Sequence, residues 1–188
     1  MSKVKEYSGT LFLIVGNSCS GKDSIISGTI KKYPSNLKKI YNPKRYITRP
    51  PSKTEENISI TPIEFKELSE KGMFALEWHI YGLDYGVPIK IDQLLSKGHP
   101  VVVNVSRTII KEARKVYKNL KVIFIKVPLK VCIERLKERG RERENRIEER
   151  IQRARTHQEF EEADYVIDNT SSLDYAVDKL LGYIILHL

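Results

Sequence analysis

An α/β fold with a mostly parallel central sheet, covered by helices on both faces, is predicted by three observations. Short apolar runs alternate with helical stretches along the whole chain. Two of those runs, Pro100–Val105 and Leu120–Val127, are almost continuously apolar, as strands buried on both faces are. A third, Thr10–Val15, leads straight into Gly16-Asn17-Ser18-Cys19-Ser20-Gly21-Lys22-Asp23, and a helix from Ser24 to about Tyr33 follows. Strand, glycine-rich loop and helix in that order make a phosphate cradle.

Five parallel strands are expected in the core: Thr10–Val15, Ile40–Ile47, Pro100–Val105, Leu120–Val127 and Tyr165–Asp168. Ser52–Asn57 is polar and reads as a loop. Thr61-Pro62-Ile63-Glu64 starts a helix, with Thr61 as N-cap, Pro62 at the first helical position and Glu64 closing a capping box. That helix ends near Gly72. Phe74–Trp78 and Tyr85–Val87 read as extended, with Gly82-Leu83-Asp84 turning between them. Pro88–Lys97 is helical, and Gly98 stops it. Helices are expected over Arg107–Tyr117, from Pro128 to Arg139-Gly140 with Val131, Ile133 and Leu136 on its apolar face, over Arg146–Glu162, and over Leu173–Leu188. Arg141–Asn145 has no apolar periodicity.

The 188 residues suit one domain, with no internal repeat, low-complexity segment or linker. The longest apolar runs, Leu11–Val15 and Ile184–Leu188, are too short to span a bilayer. The first residues run directly into a strand, leaving no room for a cleavable signal, and two cysteines form no disulfide framework; a reducing cytoplasm is expected. A net charge of +9 admits nucleic acid or highly phosphorylated small molecules as partners. With no stretch interleaving aromatic and basic residues, the small molecules are the expected partners, with neither nucleic acid nor membrane. Oligomeric state is not legible.

In the loop, successive backbone N–H groups would cradle a β-phosphate, Lys22 would reach the β/γ oxygens, and the following helix would turn its positive end to the anion. Asp23 stands where most such loops carry Ser or Thr to hold magnesium. The strand ending at Asn104 lacks the acidic residue common at that place, so the carboxylate is expected to have crossed the metal site; the other reading leaves the ion to water and phosphate oxygens. Metal candidates are thus Asp23 and Ser24. Arg45 and Arg49, on one strand face with Ile47 between them, suit one or two phosphates, or equally a solvated basic edge. Arg135, Arg139, Arg141, Arg146, Arg150 and Arg153 surround the break at Gly140, where a helix–loop–helix lid would neutralise charge in transfer. Interleaved glutamates make a salt-bridged hairpin the competing reading. The four histidines have no metal-ligand spacing; His79 is the one near other candidates, and Trp78 is expected in the core.

Together these residues resemble the guanylate kinase branch of the P-loop kinases, and within it the ribose 1,5-bisphosphate phosphokinases, nearly end to end. The specific point is Gly21-Lys22-Asp23-Ser24, where guanylate kinases read Gly-Lys-Ser. Arg45-Tyr46-Ile47-Thr48-Arg49, Trp78-His79, Leu83 with Tyr85-Gly86, Asn104-Val105-Ser106-Arg107, Arg135-Leu136 and Arg139-Gly140-Arg141-Glu142, then Arg150 and Arg153-Ala154, fit in order. A guanine-reading Ser of guanylate kinases is here Arg45, their second phosphate-binding Arg is Ser52, and the aspartates ending their third strand are Asn104 and Ser106. Glu77 departs the other way, matching their guanine-contacting glutamate, and keeps nucleotide acceptors open.

The resemblance implies a three-layer α/β/α P-loop kinase formed by residues 1–188, with an acceptor lobe at about 48–87 and an arginine lid at about 139–150. It implies ATP as phosphoryl donor with Mg2+, and ribose 1,5-bisphosphate as acceptor, giving ADP and 5-phosphoribosyl 1-diphosphate (PRPP). The alternatives are a nucleoside monophosphate kinase and a non-catalytic interaction domain. Gly16 through Ser24, with Arg135 and Arg139, would hold the donor. Arg45, Arg49, Glu77, His79, Tyr85, Asn104, Arg107, Arg141 and Arg153 would hold the acceptor. Lys22, Asp23, Arg139 and Arg150 would act in catalysis.

Overall fold

The structure is a computed structural model that describes residues 4–18, 20–51, 56–139 and 144–188, without the side chains of 138, 139 and 144–147. Four strands form a parallel sheet: β1 (Leu11–Gly16), β6 (Val101–Asn104), β7 (Leu120–Lys126) and β8 (Tyr165–Asp168), in the order β6-β1-β7-β8. Leu11 to Val15 are wholly buried, and their side chains alternate between two cores. Leu11, Leu13 and Val15 pack with Ile91 and Leu95 of α3 (Lys90–Ser96) and Ile110 and Ala113 of α4 (Ile110–Val116). Phe12 and Ile14 pack with Ile25 and Ile26 of α1 (Lys22–Lys32) and Ala176, Val177 and Leu180 of α7 (Leu173–Leu186). Helices therefore cover both faces, as a parallel sheet requires.

The expected strand Ile40–Ile47 divides instead. Tyr41 alone joins the parallel sheet, bridging Val101 beyond β6, so the fifth strand is a single-residue bridge. Asn42-Pro43 then carries the chain away: proline cannot donate to a ladder. Tyr46–Ile47 (β2) belongs to a second, mixed sheet with β3 (Ile58–Ser59), β4 (Phe74–Ile80) and β5 (Leu83–Pro88), ordered β3-β2-β5-β4. The β4–β5 turn sits at Tyr81-Gly82, one residue before its expected place, with φ of 55° and 69°. Those paired positive values mark the mirror-image turn that matches strand twist, and they leave Leu83 and Asp84 free to pair with Ile80 and His79. Helix α2 (Pro62–Glu70) opens with the expected capping box: Glu64 N–H donates to Thr61 Oγ1 at 3.2 Å, and Thr61 N–H donates to Glu64 Oε2 at 2.7 Å.

Helix α5 (Leu129–Arg139) buries Cys132 and Leu136, one turn apart, leaving Val131 and Ile133 half-buried. Helix α6 (Glu144–Thr156) stops six residues before the expected Glu162. Two donors capture the carbonyl of His157, Asn17 Nδ2 at 3.1 Å and an Arg107 nitrogen at 3.1 Å, and so draw the chain toward the loop after β1. Cys19, Ser52 and Arg141 lie outside the described residues, as do Gly140 and the centre of the expected lid.

Candidate active site

The C-terminal ends of β1 and β6 open onto one cavity of about 370 Å3, the place where open parallel sheets bind ligands. Its floor is the loop between β1 and α1. Gly21 is left-handed at φ 89°, and a Cβ there would stand 2.4 Å from Asn169 Nδ2; one at Gly16 would stand 2.6 Å from the Ile125 carbonyl. Neither position admits a side chain: Gly16 is drawn tightly against the sheet, and Gly21 against the Asn169 side chain. Asn169, buried just after β8, props the loop by donating Nδ2–H to the Ser20 carbonyl at 2.8 Å.

Lys22 opens α1 and folds its ammonium back over the loop, donating to the carbonyls of Asn17 at 2.8 Å and Gly16 at 3.0 Å. Burial pushes it down to about 8, and neighbouring Arg107 and Arg45 push the same way, against Asp23. Asp23, half-exposed in the first turn of α1, accepts a hydrogen bond from Asn104 Nδ2 at 2.8 Å. Arg45 completes that cluster: it donates to the Asn104 carbonyl at 2.8 Å, and its guanidinium lies 4.0 Å from Asp23 Oδ1. Asn104 and Asp23 thus share one polar corner, as the exchanged-carboxylate expectation requires.

The walls are cationic and aromatic. Arg49, Arg135, Arg150 and Arg153 line the cavity with Lys22, Arg45 and Arg107, so that among the described residues seven basic side chains stand against the one carboxylate of Asp23. Arg150 donates to Ser18 Oγ in the loop. Trp78 packs in the core as expected and also reaches the cavity, stacked on Tyr85 with ring centroids 5.1 Å apart.

Not every expected residue lies here. Glu77 and His79 occupy the opposite face of β4 from Trp78, because side chains alternate along a strand. Glu77 accepts from Ser69 Oγ of α2 at 3.0 Å, and His79 Nδ1 meets Asp84 Oδ1 at 2.6 Å; neither lines this cavity. Arg107 does line it, yet its nitrogens are engaged by Asn17 Oδ1 and the His157 carbonyl, and its guanidinium lies over the Phe124 and Phe160 rings. Burial lowers its pKa to about 10, which leaves it charged at neutral pH. Asn17 is likewise a loop anchor through its side chain, not an open ligand group. Ser24 reaches the cavity; Cys19 and Arg141 fall outside the described residues, as does the Arg139 side chain.

The guanylate kinase family model matches residues 8–185. The chain belongs to the guanylate kinase family. Within that family, the ribose 1,5-bisphosphate phosphokinase of Bradyrhizobium diazoefficiens is 35% identical over 94% of this chain and 88% of its own length. The enzyme of the same name from Thiobacillus denitrificans is 38% identical over 92% of this chain and 91% of its own. Among solved structures, guanylate kinase from Anaplasma phagocytophilum superposes with a TM-score of 0.70, covering 96% of this chain and 87% of that one; at 17% identity this is a likeness of fold.

Against the guanylate kinase frame, the loop fits a nucleoside triphosphate. Its two close-packed glycines, half-buried lysine and helix N-terminus are the donor set that polyphosphate oxygens need. Magnesium fits more narrowly. Among the described residues no cluster of three His, Cys, Asp or Glu exists, so Asp23 and Ser24 would supply protein oxygens beside phosphate oxygens. Tyr81 and Asn169 are the site residues that sequence reasoning missed. Tyr81 is signalled only by its place before Gly82, and Asn169 by its place after an acidic strand end; neither belongs to a recognised motif. No described helix is long and apolar enough to cross a membrane.

Proposed function

We propose that this chain transfers the γ-phosphoryl group of ATP to the 1-phosphate of ribose 1,5-bisphosphate, giving ADP and PRPP. The carrying observation is the charge of the cavity, where among the described residues seven cationic side chains stand against Asp23. A phosphate monoester carries about −1.5 to −2 at neutral pH, so a bisphosphate acceptor brings about two more negative charges than a nucleoside monophosphate. Two features of the site support the same acceptor. Arg45 stands in the polar corner formed with Asn104, and Glu77, the residue that argued for a purine, faces α2 instead.

In this reading Lys22 and the loop N–H groups bind the donor's β- and γ-phosphates, with Arg135 and Arg139 beside them. Arg45, Arg49 and Tyr85 grip the acceptor phosphates. Arg141, Arg150 and Arg153 supply the lid's charge. An acceptor phosphate oxygen forms the new bond to phosphorus while the bond from γ-phosphorus to the β–γ bridging oxygen breaks. With a second pKa near 6 the acceptor is already ionised at pH 7, so no side chain need remove a proton. Catalysis is then positioning plus charge stabilisation. Magnesium, held through Asp23 and Ser24, would screen charge between donor and acceptor oxygens. Residues 1–188 form one kinase domain in this scheme, with the acceptor lobe at about 48–87 and the lid at about 139–150. It works in the cytoplasm on small molecules, with neither nucleic acid nor membrane as partner.

An acceptor panel tests the assignment. With ATP and magnesium, ribose 1,5-bisphosphate should give a phosphorus NMR signal for a 1-diphosphate, and GMP, AMP and dTMP should react far more slowly. A kcat/KM for any nucleotide equal to or above that for ribose 1,5-bisphosphate would transfer the chain to the nucleotide reading. Absence of transfer to every acceptor would favour the non-catalytic one.

A further inference from the structure

Tyr81 is the one non-glycine residue with positive φ among the described residues, and it sits at the tip of the β4–β5 hairpin. A two-residue turn of this kind is satisfied best by Asn or Gly, so a bulky aromatic side chain there is conformationally disfavoured. What the ring contacts is on another element. The guanidinium of Arg150 lies 5.0 Å from its centroid and that of Arg153 lies 5.8 Å away. The two arginines are three apart on α6, hence on one helix face, and both line the cavity. Arg150 continues the path by donating to Ser18 Oγ in the phosphate loop.

We propose that Tyr81 is a positioning residue: its ring holds Arg150 and Arg153 over the phosphate loop, joining the hairpin to the donor site. An arginine side chain has many rotamers, and two like charges close together repel, so losing the ring removes one restraint shared by both guanidinia, and the hydrogen bond from Arg150 to Ser18 must then hold against that repulsion. A ring face attracts both cations and supplies a flat surface for them. The ring, not the hydroxyl, carries this role. The inference rests on the functional reading above only in taking the loop as the donor site.

Calorimetric titration with magnesium–ATP, without any acceptor, tests it. Tyr81→Asn keeps a residue suited to the turn and removes the ring; it should weaken ATP binding about tenfold, within the range for desolvated cation–ring pairs. Tyr81→Phe should stay within about twofold of the parent. In a background carrying Arg150→Ala and Arg153→Ala, Tyr81→Asn should change affinity less than about twofold, because the groups it positions are gone. Tyr81→Gly is a second ring-less variant should the Asn form fail to fold. An equal loss in Tyr81→Phe and Tyr81→Asn would show that the hydroxyl matters, and an undiminished loss without the arginines would show that the ring acts alone; either overturns the proposal. A parent protein that binds ATP but makes no PRPP would refute the acceptor assignment and leave this cycle readable.

Discussion

The carboxylate of Asp23 and the amide of Asn104 are joined by a 2.8 Å hydrogen bond, so exchanging them tests whether they serve one magnesium ion. Asn104→Asp alone sets two carboxylates at hydrogen-bond distance. At about 4 Å and an effective dielectric near 20, two charges repel by about 4 kcal/mol. Asp23 is 49% exposed, and Arg45 lies 4.0 Å from it, so solvent and the guanidinium offset much of that. A net cost of about 1–2 kcal/mol is the expectation. Asp23→Ser alone removes the one carboxylate among the described residues that line the cavity. The combined variant restores one carboxylate without the repulsion, so it should retain more activity than the two single losses added together imply. A coupling of about 2 kcal/mol, or about thirtyfold in kcat, lies within the range for residues sharing a partner. The assay is initial-rate kinetics of all four proteins across a magnesium titration, with excess magnesium partly rescuing Asp23→Ser. Losses that add within about 0.5 kcal/mol at every magnesium concentration would refute the shared ion.

Arg45→Ser should weaken ribose 1,5-bisphosphate binding by about 2–5 kcal/mol, the cost of breaking a buried charge pair, and leave ATP affinity nearly unchanged; equal losses in two calorimetric titrations would place Arg45 outside the acceptor pocket. Arg107→Ala should act on stability instead, lowering urea unfolding free energy by about 2–4 kcal/mol, because it strips Asn17 Oδ1 of a buried donor and uncovers two rings. A folded, fully stable Arg107→Ala with raised acceptor KM would restore it as a substrate residue. Lys22 sets the pH dependence of donor binding. Its pKa falls from an ordinary 10.5 to about 8 in the free protein, and a polyphosphate beside it should raise it again. ATP affinity should therefore be flat below pH 7.5 and about tenfold weaker at pH 9, with about half a proton taken up at pH 8. Calorimetry in buffers of differing ionisation enthalpy measures that uptake, which Lys22→Met should abolish; a buffer-independent enthalpy in the parent would refute the assignment. The free protein, whose unfolded chain binds this proton more tightly, should gain stability from the same group as pH rises from 8 toward 10.5.

The parts of the fold legible in the sequence are those decided by short-range chemistry. Burial on both faces writes β1, β6 and β7 as apolar runs, and the capping box at Thr61 and Glu64 writes the start of α2. The phosphate loop is legible because its glycines answer a local need, close approach to backbone at Gly16 and a left-handed turn at Gly21. Where the reading diverges, a distant partner decides. Helical pattern alone carries α6 to Glu162, but Asn17 and Arg107 take the His157 carbonyl from across the fold and end it at Thr156. The run Ile40–Ile47 has strand character throughout, yet two sheets claim its two ends.

The same division runs through the site. Residue type places a cation in the cavity but not its occupation: Arg45 and Arg107 are the same side chain, and only the structure shows one beside Asp23 and the other fastened to Asn17 between two phenylalanines. Glu77 is turned away from the cavity by strand alternation, because its neighbour Trp78 faces in. Motif matching aligns Glu77 with a base-reading group, while the pleat turns it toward Ser69. With that carboxylate outside the cavity, Asp23 is the single acid among the described lining residues. A site with one acid beside seven cations favours an acceptor rich in phosphate over one recognised by a base, and that preference is set as much by Glu77 facing outward as by the added charge of Arg45.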